Sequence, residues 1–203
     1  MRVPQSAFRN PQWGAGAADA EMDRFWTAIF GNDQPVEIEI GPGTGTFLLA
    51  AAAHYPGTNF FGIEHARGRA FRLQAAIATR GLTNARVIAA DAACVVATLT
   101  PPASVRAVHI YFPDPWWKRR HHRRRLFTAE FAVGLARMLV PHGRLCVATD
   151  VEEVFALVLR TLAGSGLTRN GSLRSPRLGA TAFEHKGLRR GVAIHEAVFV
   201  KTP

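Results

Sequence analysis

Glu39, Glu64, Asp91 and Asp114 each stand at or just beyond the end of a short apolar run. Glu39 leads into Ile40-Gly41-Pro42-Gly43-Thr44-Gly45-Thr46, a turn where glycine lets backbone N–H groups approach a ligand without Cβ obstruction. The glycines are spaced G-x-G-x-G, and Thr46 stands where the dinucleotide fingerprint G-x-G-x-x-G requires glycine. An acid two residues ahead of the loop would repel a pyrophosphate, which argues against NAD. The same acid suits a nucleotide-like cofactor with a positive charge, and the amino group and sulfonium of S-adenosylmethionine meet that description. Gly41, Gly43 and Gly45 together with Glu39 are the expected cradle.

Glu64 ends the second apolar run, where an acid accepts hydrogen bonds from both hydroxyls of a ribose. Asp91 ends the third and is placed to bond an adenine amine. Either acid alone also reads as a helix N-cap at a strand-to-helix turn. Asp114 lies between Pro113 and Pro115, whose rings restrict the backbone, and Trp116 and Trp117 follow. A rigid acid beside two tryptophans predicts a pocket for a flat, polar, cationic or base-like group. Next comes Lys118-Arg119-Arg120-His121-His122-Arg123-Arg124-Arg125, with six positive charges and no acid. A solvated helix face normally mixes signs so that i, i+4 pairs form. This run has nothing to pair with internally, so its expected role is to hold phosphates and bring a nucleic acid beside Asp114. His121 and His122 lack further ligands at metal spacing, and no metal is expected.

The elements that must position these residues alternate in period between two and 3.6. Strands are predicted over 36–40, 59–63, 85–90, 105–112 and 144–149, and helices over 47–53, 67–80, 126–139 and 151–163, with Pro141-His142-Gly143 as a helix stop. Strand, helix, strand repeated in this way predicts an α/β fold, a mostly parallel sheet with helices on both faces and ligands at its carboxyl edge. Residues 167–173 and 192–200 read as extended with no helix between them, an antiparallel hairpin that brings the sheet to seven strands. Arg174 to Gly191, rich in Gly, Arg and Ser, reads as a long loop near the working edge. Residues 1–20 read as a flexible arm and 21–203 as one domain.

The 203 residues carry 25 Lys and Arg against 15 Asp and Glu, a net charge of +10, which favours a polyanionic partner. Cys94 and Cys146, the only cysteines, are too few for a disulfide scaffold, and their apolar surroundings predict that both are buried and reduced. The first residues lack a signal-peptide core and no run spans a bilayer, so a cytoplasmic protein without a membrane partner is expected.

Tyr111-Phe112-Pro113-Asp114-Pro115-Trp116, then Lys118 and the basic run, resembles the bacterial tRNA (guanine-N7)-methyltransferase family. The resemblance extends over roughly residues 35 to 200, through Glu39-Ile40-Gly41, Gly62-Ile63-Glu64, Asp91-Ala92, Ala148-Thr149-Asp150 and, more loosely, Thr181-Ala182-Phe183-Glu184. It implies a Rossmann-like class I methyltransferase that moves a methyl group from S-adenosylmethionine to guanine N7 in the tRNA variable loop. It further implies that Glu39, Glu64 and Asp91 bind cofactor and that Asp114 serves cofactor and catalysis. Lys118, Asp150, Thr181, Phe183 and Glu184 would contact the substrate, and Arg120, His121, His122, Arg123, Arg124 and Arg125 the RNA. Two residues depart from the family pattern: Trp117 stands where the family has His, and Ala182 where it has Lys. Lys186 is a substitute cation if the loop folds differently. Asp150 also reads as a cap for the helix after it. Two other functions stay open, a methyltransferase with a different acceptor and a catalytically silent RNA-binding homologue. The sequence leaves monomer and homodimer undecided.

Overall fold

The computed structural model describes residues 19–116, 120, 125–176 and 192–202. Thirteen elements of regular structure follow in order: α1 (Asp19–Phe30), β1 (Val36–Ile40), α2 (Thr46–His54), β2 (Asn59–Glu64), α3 (Arg67–Thr79), β3 (Ala85–Ala89), α4 (Ala92–Cys94), β4 (Val105–Tyr111), α5 (Ala129–Met138), β5 (Leu139–Thr149), α6 (Glu152–Leu162), β6 (Leu167–Asn170) and β7 (His195–Lys201). α4 continues directly into a π-helical turn, Val95–Leu99. The strands form one sheet in the order β3-β2-β1-β4-β5-β7-β6. β1 to β5 pair in parallel, and β7 runs antiparallel between β5 and β6. The expected α/β fold with its C-terminal antiparallel pair is therefore observed.

Both faces of the sheet are covered. Val36, Ile38 and Ile40 of β1 join a core that includes Trp26 and Phe30 of α1 and Phe131 and Leu135 of α5. The opposite face carries Phe47, Leu48, Leu73 and Ile77 of α2 and α3, packed on Phe60, Val87 and Tyr111. Glu37 and Glu39 alternate with the β1 apolar residues, a pattern that in an antiparallel sheet would mark a wet face. Here α2 covers that face, and both carboxylates are buried. The fold thus places two acids in a closed interior on β1, the middle one of its five parallel strands.

Several boundaries differ from the sequence reading for local reasons. α1 had no counterpart there, and it begins within the last two positions of the expected 1–20 arm, whose remainder lies outside the described residues. α5 starts at Ala129 because the Thr128 hydroxyl accepts from the Phe131 N–H at 3.2 Å. β5 starts at Leu139, so Pro141-His142-Gly143 interrupts a strand rather than stopping a helix. Pairing with β4 shifts register there, a bulge that accommodates Pro141 and the positive φ of His142. β6 ends at Asn170, whose Oδ1 accepts from Ser172 and Leu173 N–H and turns the chain. Cys94 is exposed, contrary to expectation, because the helical turn that follows β3 points Val95 and Val96 inward instead; Cys146 is buried, and both are free. Among the described residues no helix is long and apolar enough to cross a membrane.

Gly45 ties the sheet edge to the helical layer. Its φ is +82°, and a Cβ there would drive into the Leu73 side chain of α3. Gly45→Ala combines left-handed strain with overpacking, a loss of roughly 2–4 kcal/mol. Calorimetry should find its melting temperature lower by about 5–10 °C, and an unchanged value would contradict this packing.

Candidate active site

The carboxyl ends of the five parallel strands share one edge of the sheet, and the predicted acids gather there. Glu39 pairs in register with Gly62 of β2 and His109 of β4. Glycine at position 62 matters, since a Cβ would lie 2.8 Å from Leu48 of the helix above. Glu39 is only 5% exposed, and its Oε2 has no hydrogen-bond partner among the described residues. Burial raises its carboxyl to about 8, against a lowering hydrogen bond from the Leu48 backbone, with the nearby Glu64 charge adding to the rise. A buried acceptor without a donor is unfavourable by about 1–3 kcal/mol, and a cation brought to Oε2 would relieve it.

The glycine loop wraps around that position. Gly41 N–H bonds Ile63 O at 2.9 Å and Gly45 N–H bonds Pro42 O at 2.7 Å. Gly41, Gly43 and Gly45 all have positive φ. A Cβ on Gly41 would meet nothing within 4 Å, so the loop borders open space that a ligand could fill. Glu64 closes the loop from below, with Oε2 accepting from Gly43 N–H at 3.0 Å and Oε1 from Ala66 N–H at 2.8 Å. Each oxygen keeps a second lone pair. Asp91 caps α4 by accepting from Cys94 N–H at 3.0 Å, so the capping reading holds for this residue, while its other oxygen has no partner among the described residues.

Asp114 is exposed, in the segment that follows β4. Phe112 and Trp116 on either side have φ of 51° and 46°, unusual for residues with a Cβ. Each such residue stores roughly 1–3 kcal/mol of strain, and with two prolines between them the backbone that carries the carboxylate is restricted. The segment is anchored where Phe112 N–H bonds Ala148 O of β5 at 2.7 Å. A depression behind it is lined by Asp114, Arg125, Phe127, Val154 and Leu157. Arg125 is half-buried rather than splayed into solvent, and its Nε has no hydrogen-bond partner among the described residues. Arg120 is exposed. Asp150 follows β5 at the same edge, but it does not cap α6: the Thr149 hydroxyl accepts from Val151 N–H at 3.1 Å, and α6 has no side-chain cap. Trp117, Lys118, His121, His122, Arg123, Arg124, Thr181, Ala182, Phe183, Glu184 and Lys186 lie outside the described residues.

The sequence reading missed a buried chain of polar groups beneath α2. Arg106 donates to Glu37 at 2.8 Å and to Thr58 at 2.9 Å. Glu37 meets His109 Nε2 at 2.9 Å, His109 Nδ1 meets the Tyr111 hydroxyl at 2.9 Å, and Tyr111 meets Ser175 at 2.7 Å. Burial works against ionisation of Glu37, but hydrogen bonds and charge from His109, then Arg106, outweigh it and hold the carboxyl at about 2. Phe47 lies over the His109 ring at 4.6 Å. The chain crosses the sheet face and ends at Ser175, just ahead of the segment that carries Thr181 to Glu184. Two acids on one face of a five-residue strand were the available signal, since both cannot be buried without partners.

Strand order, covered faces and a glycine-loop edge lined with acids define a class I methyltransferase fold. Solved structures agree: the 16S rRNA methyltransferase KamB matches with a TM-score of 0.62 at 18% identity over 89% of this chain and 94% of that one. The aminoglycoside resistance methyltransferase NpmB1 matches at 0.59 and 20% over 83% and 87%. The family described as "Putative methyltransferase" matches residues 33–197. The tRNA (guanine-N(7)-)-methyltransferase of Hydrogenovibrio crunogenus is 37% identical over 195 residues, 93% of this chain and 80% of that protein. Its counterpart in Burkholderia vietnamiensis is 38% identical over 180 residues, 87% and 71%. The chain belongs to the tRNA (guanine-N7)-methyltransferase family.

Burial gives Glu39 a testable pH signature. Its folded value of about 8 exceeds the ordinary 4.5, so the folded chain holds a proton that the unfolded chain releases. The resulting stability is complete below the unfolded value and is lost as pH rises through the folded one. Glu39→Gln removes that dependence. In ligand-free protein its melting temperature should gain on wild type by several degrees between about pH 5 and about pH 8.5; a constant difference would contradict the burial.

Proposed function

We propose that this protein transfers the methyl group of S-adenosylmethionine to N7 of a guanine in the tRNA variable loop. The observation that carries the reading is the buried Glu39 carboxyl at the edge of a glycine loop, with one oxygen that has no partner among the described residues, in a chain of this family. S-adenosylmethionine supplies a methyl group on a positively charged sulfur. Glu39 accepts from its ammonium group, and the Gly41, Gly43 and Gly45 backbone gives room for close approach. Glu64 takes the ribose hydroxyls with the lone pairs its loop bonds leave over, and Asp91 takes the adenine amine with its second oxygen.

Guanine N7 already carries an in-plane lone pair, so no side chain has to remove a proton from it. Positioning therefore dominates. Asp114, fixed by its prolines and strained neighbours, accepts from the N–H edge of the base and favours the positive charge that develops on the ring as the methyl arrives. Asp150 and Glu184 share recognition of that edge, because a buried N–H without an acceptor disfavours binding by about 1–3 kcal/mol. Lys118, Thr181 and Phe183 complete the base pocket, and Arg120 to Arg125 hold phosphates. With a tRNA acceptor, the reading includes a cytoplasmic reaction.

Incubation with labelled S-adenosylmethionine and tRNA lacking N7-methylguanine, followed by nucleoside analysis, tests the reading directly. Label should appear in N7-methylguanosine; label in another nucleoside, or none, would reject the assignment. Asp114→Asn should leave cofactor affinity within about tenfold and lower turnover by about a hundredfold or more. Near-normal turnover would remove Asp114 from the mechanism.

A further inference from the structure

Residues 65–80, His-Ala-Arg-Gly-Arg-Ala-Phe-Arg-Leu-Gln-Ala-Ala-Ile-Ala-Thr-Arg, form a second acid-free basic stretch, with Arg67, Arg69, Arg72 and Arg80. They span α3 and its ends. The helix buries Ala70, Leu73 and Ile77 against the sheet. Its other side carries the arginines and Phe71, which is 72% exposed. Among the described residues none of these four guanidiniums makes a side-chain hydrogen bond or ion pair.

The neighbours of Phe71 leave its ring uncovered. By helical spacing Gly68, Ala75 and Ala78 share its face, while Arg67 lies one turn before it and Arg72 beside it. The Arg72 guanidinium lies over Gly68, 3.7 Å from where a Cβ would stand. An aromatic ring on a floor of small residues, rimmed by unpaired guanidiniums, matches a nucleic-acid platform: the ring stacks an unpaired base and the arginines take the flanking phosphates. A protein partner would more naturally meet this charge with acids, and a buried self-association patch would not carry four like charges. Position supports RNA as well. α3 begins three residues after Glu64, so Arg67 and Arg69 share the sheet edge that bears Asp114.

We propose that the exposed face of α3, through Arg67, Arg69, Phe71 and Arg72, is a second tRNA-docking surface, separate from the Arg120–Arg125 run. The proposal rests on the tRNA reading above. It accounts for an exposed Phe71 and for part of the +10 charge that the active site does not use.

The test measures tRNA binding by the full chain across a salt series for wild type, Phe71→Ala and the triple variant Arg67→Gln/Arg69→Gln/Arg72→Gln. The triple variant should raise the tRNA Kd about tenfold or more and lower the slope of log Kd against log salt by roughly two to three, one per lost phosphate contact. Phe71→Ala should raise Kd by about fivefold or more without changing the slope. Melting temperature and S-adenosylmethionine affinity should stay at wild-type values in both, which separates lost docking from lost fold. Unchanged tRNA affinity and slope in the triple variant would overturn the proposal. So would a wild-type dimer that Phe71→Ala makes monomeric without altering tRNA affinity, which would give this face to a second copy. Absence of methyl transfer to tRNA by wild type in the same preparation would instead reject the functional reading.

Discussion

A carboxylate enclosed at the end of the central strand with no partner for one of its oxygens constrains everything around it. Glu39 is buried because α2 closes over β1, and α2 can do so because Gly62 leaves space for Leu48 and Gly45 for Leu73. Among the described residues no cation pairs with the acid: its neighbour across the loop is another carboxylate, Glu64, which adds to the rise that keeps Glu39 protonated. Two residues earlier on the same face, Glu37 meets the same burial and is resolved oppositely, with Arg106 and His109 as partners. That contrast separates an internal strut from a position left for a ligand. A buried acid in a covered sheet is either paired, as Glu37 is, or held protonated, as Glu39 is.

A second constraint acts on the other side of the edge. Asp114 is exposed, and two prolines between two residues of positive φ restrict the backbone that carries it. The strain is tolerated because the segment is bonded to β5 through Phe112 and because Tyr111 is held from below by His109. The same hydroxyl reaches Ser175, so the buried chain that neutralises Glu37 also ties down the approach to the 177–191 segment. Charge neutralisation inside the sheet and placement of chain at its edge are thus one construction.

Much of this was legible in the sequence where a local rule decides. The switch between periods of two and 3.6 located the five parallel strands, and the glycine turn followed from the type and spacing of Gly41, Gly43 and Gly45. Tertiary context decided what was missed. Glu37 and His109 are far apart in the chain and meet only through the β1–β4 register, so no window over the sequence contains their pairing. β5 begins early because a bulge absorbs Pro141, a choice made by pairing with β4 rather than by local propensity. Cys94 faces solvent because Val95 and Val96 take the core positions. Asp150 does not cap α6, which begins without a side-chain cap while the Thr149 hydroxyl accepts from Val151 N–H, a matter of side-chain geometry that residue types alone do not settle.

The central claim is that Glu39 is held ready for a cation, and proton release tests it most directly. Titration calorimetry of S-adenosylmethionine at pH 7, repeated in buffers of different ionisation enthalpy, counts the protons lost on binding. With a ligand-free value of about 8, pairing with a cation should release close to one proton, and Glu39→Gln should abolish that release. Binding heats that are independent of buffer in the wild-type protein would contradict the claim, since they would mean that the ligand never meets a protonated carboxyl at this position.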